Sequence, residues 1–76
     1  MRNQVIKIGE KIRARRELLG LLQSQLASIA EVGIRTIQMI ESGKGNPSLE
    51  TLLKLIHPIG LQLELTVPMP EKNIEQ

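Results

Sequence analysis

Between Gln23 and Gly43 the chain reads QSQLASIAEVGIRTIQMIESG, and its apolar residues fall where two short helices crossing at a steep angle need them. Leu26, Ile29 and Ala30 share one face of a first helix, and Val32 sits in the connection. Ile37 and Ile40 share one face of a second helix. Residues three and four apart lie on the same side of a helix, so each face can reach a common core. This spacing is that of a helix-turn-helix, a motif whose second helix can lie in the DNA major groove.

The rest of the chain supplies support for that pair. Residues 1–5 are expected to form a flexible arm, and a first helix to run from Ile6 or Ile8 to Leu19, with Ile8, Ile12 and Leu19 facing inward. Gly20 is placed to stop it in a left-handed conformation. The motif helices are expected at about Gln23–Ala30 and Ile34–Ser42, with Gly43 closing the second. Ser48 is a good N-cap for a fourth helix, in which Leu49, Leu52, Leu53 and Ile56 follow at i, i+3, i+4 and i+7. Pro58 ends that helix, with room for one irregular turn up to Gly60. The period then changes to two: Leu61, Leu63, Leu65 and Val67 alternate with Gln62, Glu64 and Thr66, which reads as one strand closed by Pro68 and Pro70.

A lone strand has no partner in an otherwise helical chain, and its backbone groups require one. The simplest partner is the same strand of a second subunit, paired antiparallel across a two-fold axis. The alternative is an extended segment packed on the helices. The expected architecture is thus mainly α: a four- to five-helix helix-turn-helix domain over 6–60 with a dimerisation strand at 61–67. A disordered tail at 68–76 follows.

Composition narrows the functions. The chain has no Phe, Tyr, Trp or Cys, so its core must be aliphatic and no disulfide or thiolate metal site is available. No apolar run approaches the roughly 20 residues of a membrane span, and no continuous apolar region follows Arg2 as in a signal peptide. A cytoplasmic protein is expected. Residues 1–47 carry eight Lys/Arg and four Glu, whereas residues 48–76 carry two Lys and four Glu. The basic half holds the motif, as phosphate binding requires, although ordinary surface charge would give the same count. His57 is the one histidine and has no neighbouring ligands in sequence. No catalytic set, metal site or cofactor site is expected.

Gln23, Leu26-Ala27, Val32, Thr36-Ile37, Ile40-Glu41, Gly43 and Asn46-Pro47-Ser48 together resemble the helix-turn-helix of Cro/repressor-type (XRE-like) regulators over about residues 8–60. The ending GLQLELTV is similar to HipB-like antitoxins, in which a C-terminal strand completes an intersubunit sheet. The chain departs from the pattern in four places. Glu31 occupies the usual turn glycine, Gly33 stands where serine is common as N-cap, Leu22 replaces the Ser/Thr cap of the second helix, and Pro58 interrupts the fourth. A reshaped turn is therefore expected.

Within the motif, Ile34, Arg35, Gln38 and Met39 are the candidates for base contact. Arg can grip the O6/N7 edge of guanine, Gln can do likewise for adenine, and Ile34 can touch a thymine methyl; a solvated helix face is the plainer reading, and packing is the plainer one for Met39. Gln23, Gly33, Thr36, Lys44 and Asn46 are phosphate candidates, Gln23 because the resemblance implies it and Lys44 because it follows the reading helix. The resemblance also implies a structural ion pair between Arg16 and Glu41. It implies a homodimeric repressor on an inverted-repeat operator, acting as an antitoxin beside a HipA-like kinase toxin. A stand-alone or phage-type regulator, or a module used for protein contacts alone, remains open.

Overall fold

The structure is a computed structural model and describes residues 2–68, with side chains from Asn3 onward. Its elements are α1 (Arg2–Leu18), α2 (Gln23–Ala30), α3 (Ile34–Glu41) and α4 (Leu49–Ile56), followed by one 3-10 turn at His57–Ile59. The core is a single aliphatic cluster: Ile12, Leu26, Ala30, Ile37, Ile40, Leu52, Leu55, Ile56 and Ile59. Full burial of a Leu or Ile side chain contributes about 1.5–3 kcal/mol. All four helices and the 3-10 turn send residues into this cluster, so one core joins every element.

Several expectations are corrected in detail. The helix α1 starts at Arg2, so the residues expected as a flexible arm are helical where they are described. No Gly or Pro precedes Gly9, and Ile6 lies over Gly43 so closely that a Cβ there would sit 2.9 Å from its Cγ1. That contact supports the additional turn. The inner face of α1 is Gly9, Ile12 and Arg16; Ile8 and Leu19 are exposed. Gly9 sets this face, because the backbone of α1 passes directly over the end of α3 there. In α4 the buried set is Leu52, Leu55, Ile56 and Ile59, while Leu49 and Leu53 are exposed. The i, i+3, i+4, i+7 pattern is real but begins one turn later, since the 3-10 turn that contains Pro58 carries Ile59 into the core. In α2, Ile29 likewise faces outward.

Helix ends follow the expected chemistry. Gly20, Gly43 and Gly60 have φ of 73°, 77° and 77°, the left-handed values that suit glycine. The Ser48 hydroxyl accepts a hydrogen bond from the Thr51 amide at 3.1 Å, capping α4. Leu22 offers no acceptor to α2. Half of a capping box forms instead, with the Leu22 amide donating to Gln25 Oε1 at 2.8 Å.

The expected strand is absent among the described residues: 61–68 adopt neither helix nor strand. Leu61 packs on the core, Leu63 is half exposed, and Leu65 and Val67 are 97% and 89% exposed. A ladder needs a second row of amides and carbonyls, and the helices of this chain have none to offer. Residues 69–76, which hold most of the expected disordered tail, lie outside the described residues.

Candidate nucleic-acid interface

The connection between α2 and α3 keeps a tight geometry despite lacking its usual glycine. Glu31 itself takes the left-handed conformation, with φ 58° and ψ 46°. The Glu31 amide donates to the Ser28 carbonyl at 3.3 Å and the Val32 amide to the Ala27 carbonyl at 3.0 Å, so the carbonyls at the end of α2 are satisfied. The expected reshaping does not occur. The same backbone is reached with a residue that resists it. Gly33 then enters α3 with an extended backbone, φ −64° and ψ 143°, which any residue can adopt.

α3 has two distinct sides. Ile37, Ile40 and Glu41 are buried, while Ile34, Arg35, Gln38 and Met39 are exposed. Among the described residues, neither Arg35 nor Gln38 has a side-chain hydrogen bond or ion pair, and both side chains are exposed.

The far end of α3 is fixed by a polar network. Arg16 donates from Nε to Glu41 Oε2 at 2.7 Å and from Nη2 to Glu41 Oε1 at 2.9 Å, a two-point pairing of planar groups. Its remaining Nη1 donates to the Leu21 carbonyl at 2.8 Å. Gln23 Nε2 donates to Glu41 Oε1 at 3.1 Å, so one carboxylate joins α1, α2 and α3. Arg16 and Glu41 are each 8% exposed. No buried side-chain polar atom among the described residues lacks a partner. The hydrogen bond to Glu41 raises the Arg16 pKa above its ordinary value, with burial acting in the opposite direction.

Two shallow depressions, one mainly polar and one mixed, flank the exposed face of α3. On one side lie Gln23, Gln38, Ser42 and Arg13, with Arg16 and Glu41 beneath. On the other lie Thr36, Met39, Asn46 and Thr51, with Ile40 and Gly45–Pro47. Thus Gln23 shares a depression with Gln38, while Thr36 and Asn46 share the other with Met39. Gly33 stands at the entry of α3. Lys44 is exposed just past it, on a loop held by the Lys44 and Gly45 amides, which both donate to the Met39 carbonyl at 2.9 and 3.2 Å. Asn46 is exposed and Thr36 half buried.

Two residues at this site went unsingled in the sequence. Arg13 borders the Gln23 depression and pairs with Glu17 in an exposed contact at 3.1 Å; its helical position was visible in the sequence, but not that it lines the same depression as Gln23. Gly9 is the other: a Cβ there would lie 2.0 Å from the Ile40 carbonyl oxygen. A glycine inside an otherwise helical pattern was the available signal. His57 is exposed at the end of α4. Among the described residues, no group of His, Asp or Glu is placed to hold a metal ion, and no helix is long and apolar enough to cross a membrane.

The Helix-turn-helix family model matches residues 12–65, from the buried Ile12 of α1 to beyond the 3-10 turn. The chain belongs to the helix-turn-helix family. Within it the chain is of the Cro/repressor (XRE) type. It is 44% identical over 70 residues to an uncharacterized HTH-type transcriptional regulator of Haemophilus influenzae, covering 92% of this chain and 69% of that protein. A second uncharacterized HTH-type transcriptional regulator, from Sinorhizobium fredii, is 31% identical over 61 residues, 80% of each chain. The HTH-type transcriptional regulator DdrOP3 of Deinococcus deserti is 34% identical over 56 residues, 74% of this chain and 43% of that protein. In this helix-turn-helix chain the matched region spans all of α2, α3 and α4.

Proposed function

We propose that this chain is a sequence-specific DNA-binding transcriptional repressor that places α3 in the major groove. One observation carries the reading: Ile34, Arg35, Gln38 and Met39 form an exposed face flanked by two depressions, a polar one beside Gln38 and a mixed one beside Met39. Gln23, Gly33, Thr36, Lys44 and Asn46 then meet phosphates on the two strands bordering that groove, which sets the docking pose, while Arg35 and Gln38 select bases. The names of the three relatives support the regulatory role.

The protein acts as a homodimer in this reading, through Leu61, Leu63, Leu65 and Val67. Its two reading helices meet half-sites of an inverted repeat roughly 34 Å apart. The two nearly bare apolar side chains at Leu65 and Val67 support a second subunit. The HipB-like ending suggests the finer role of an antitoxin that represses its own operon and binds a HipA-like kinase. Co-purification with the product of a neighbouring gene tests that role, and a lone operator-binding protein would mark a stand-alone regulator instead.

The experiment that tests DNA reading is a binding titration on the chain's own promoter against scrambled duplex over a salt series. Arg35→Ala is expected to change sequence preference at one position, by about 1–3 kcal/mol. Lys44→Ala is expected to weaken all sequences alike and to reduce the salt slope by about one. Affinity independent of salt would refute the scheme.

A further inference from the structure

Beside the C-terminal segment, α1 and α4 enclose a groove whose floor is apolar: Ile8 and Ile12 from α1, Leu52 and Ile56 from α4. Lys7 and Lys11 stand on its α1 rim, and residues 61–64 form its other edge. The segment borders the groove as far as Glu64 and then leaves it. Leu65 and Val67, two residues of the right character to fill such a groove, stand in solvent.

The segment cannot easily swing to bring them back, because its root is tied at several points. The Gly60 amide donates to the His57 carbonyl at 3.1 Å and the Leu61 amide to the Ile56 carbonyl at 3.0 Å. Arg15 Nε donates to the Ile59 carbonyl at 2.7 Å. The Arg15 guanidinium also lies against Gly60, 3.0 Å from where a Cβ would be. These ties fix the direction in which the segment departs.

We propose that the α1/α4 groove is the receptor for Leu65 and Val67 of a second copy of this chain. The proposal rests on the homodimer reading above and adds the site and the register. Apolar residues in the segment occupy alternate positions, so full antiparallel pairing of 61–67 with itself puts Glu64 on the two-fold axis. Leu61 then lies opposite the partner subunit's Val67, and Leu63 opposite the partner subunit's Leu65. Paired strands run about 4.8 Å apart, which sets those two partner side chains next to Leu61 and Leu63, over the floor they border. The same operation fills the other groove, giving a closed, isologous contact. In this register the two Glu64 side chains meet at the axis, on the face opposite the apolar residues, a like-charge contact that weakens pairing at low salt.

The chain has no cysteine, so introduced thiols report contacts without background. Ile8→Cys mixed with Leu65→Cys, or with Val67→Cys, is expected to give an intersubunit disulfide on oxidation, and Glu64→Cys alone is expected to link to itself. Leu65→Asp and Val67→Asp are each expected to raise the dimer dissociation constant about 10- to 100-fold. Circular dichroism should stay unchanged, since neither side chain supports the monomer. A dimer in sedimentation that gives no mixed disulfide with either variant overturns the groove while leaving the homodimer intact. A dissociation constant unmoved by both aspartates does the same. A chain that sediments as a monomer at all concentrations overturns both readings.

Discussion

Replacing Glu31 with glycine should stabilise this protein, and the amount can be worked from the backbone. Glu31 holds φ 58° and ψ 46°, a conformation that costs a residue with a Cβ roughly 1–2 kcal/mol. Glycine removes that strain but loses more chain entropy on folding, by about 0.5–1 kcal/mol. The net gain is about 0.5–1 kcal/mol. For a domain of this size that raises Tm by roughly 2–8 °C. The assay is thermal unfolding by circular dichroism at one fixed protein concentration, because dimerisation would make Tm concentration-dependent. Glu31→Asn should gain less, since asparagine tolerates the left-handed region only in part. Glu31→Gln removes the charge and keeps the strain, so it should leave Tm close to its original value. If Gln raises Tm as much as Gly, the effect is electrostatic and the strain argument is refuted. Both Gly and Gln should tighten DNA binding at low salt, because each removes a negative charge beside the proposed interface.

Glu41→Gln breaks a two-point pairing and strands a buried guanidinium, so a loss of about 3–5 kcal/mol in denaturant unfolding is expected, with DNA binding weakened as well; unchanged Tm and affinity would show that the network is dispensable. Gly9→Ala should destabilise by about 1–3 kcal/mol although alanine is the better helix former, because its Cβ would meet the Ile40 carbonyl oxygen; a higher melting temperature would show that α1 can lift away freely. Gly33→Ser should raise stability by a few tenths of a kcal/mol by adding an N-cap acceptor to α3, since only Thr36 Oγ1, at 4.0 Å, lies near the new Cβ.

What the sequence disclosed and what it withheld divide along physical lines. Caps and stops are local, and Gly20, Ser48, Gly43 and Gly60 act as their types require. The motif helices were legible because Leu26, Ala30, Ile37 and Ile40 carry a strong 3.6-residue pattern on short segments. The inner face of α1 was not. Its centre is a glycine and an arginine, Gly9 and Arg16, whose burial depends on a backbone contact and an ion-pair partner 25 residues away. The shift along α4 was hidden for a related reason: Pro58 signals an end to the α-helix, yet the 3-10 turn built around it brings Ile59 into the same face. At the interface, the outward set on α3 followed from periodicity alone. That Arg13 and Gln23 line one depression required the three-dimensional packing of α1 and α2 on α3. Of the alternating apolar residues in 61–67, Leu61 packs on the core, while Leu65 and Val67 meet nothing among the described residues that would have shown what the alternation is for.

The reading helix is held unequally along its length. At its C-terminal end, the Ile40 carbonyl sits under Gly9, Glu41 is gripped by Arg16 and Gln23, the Met39 carbonyl takes two loop amides, and Gly43 rests on Ile6. At its N-terminal end the first buried side chain is Ile37, and Gly33, Ile34 and Arg35 stand free. Tertiary ties to α3 thus concentrate at its root, while its tip carries few. In the proposed docking pose the tip is where side chains first meet a base pair, so side chains can be exchanged there without disturbing the core. Substitutions that retune sequence choice should accordingly be tolerated at 33–35 and resisted at 40–43.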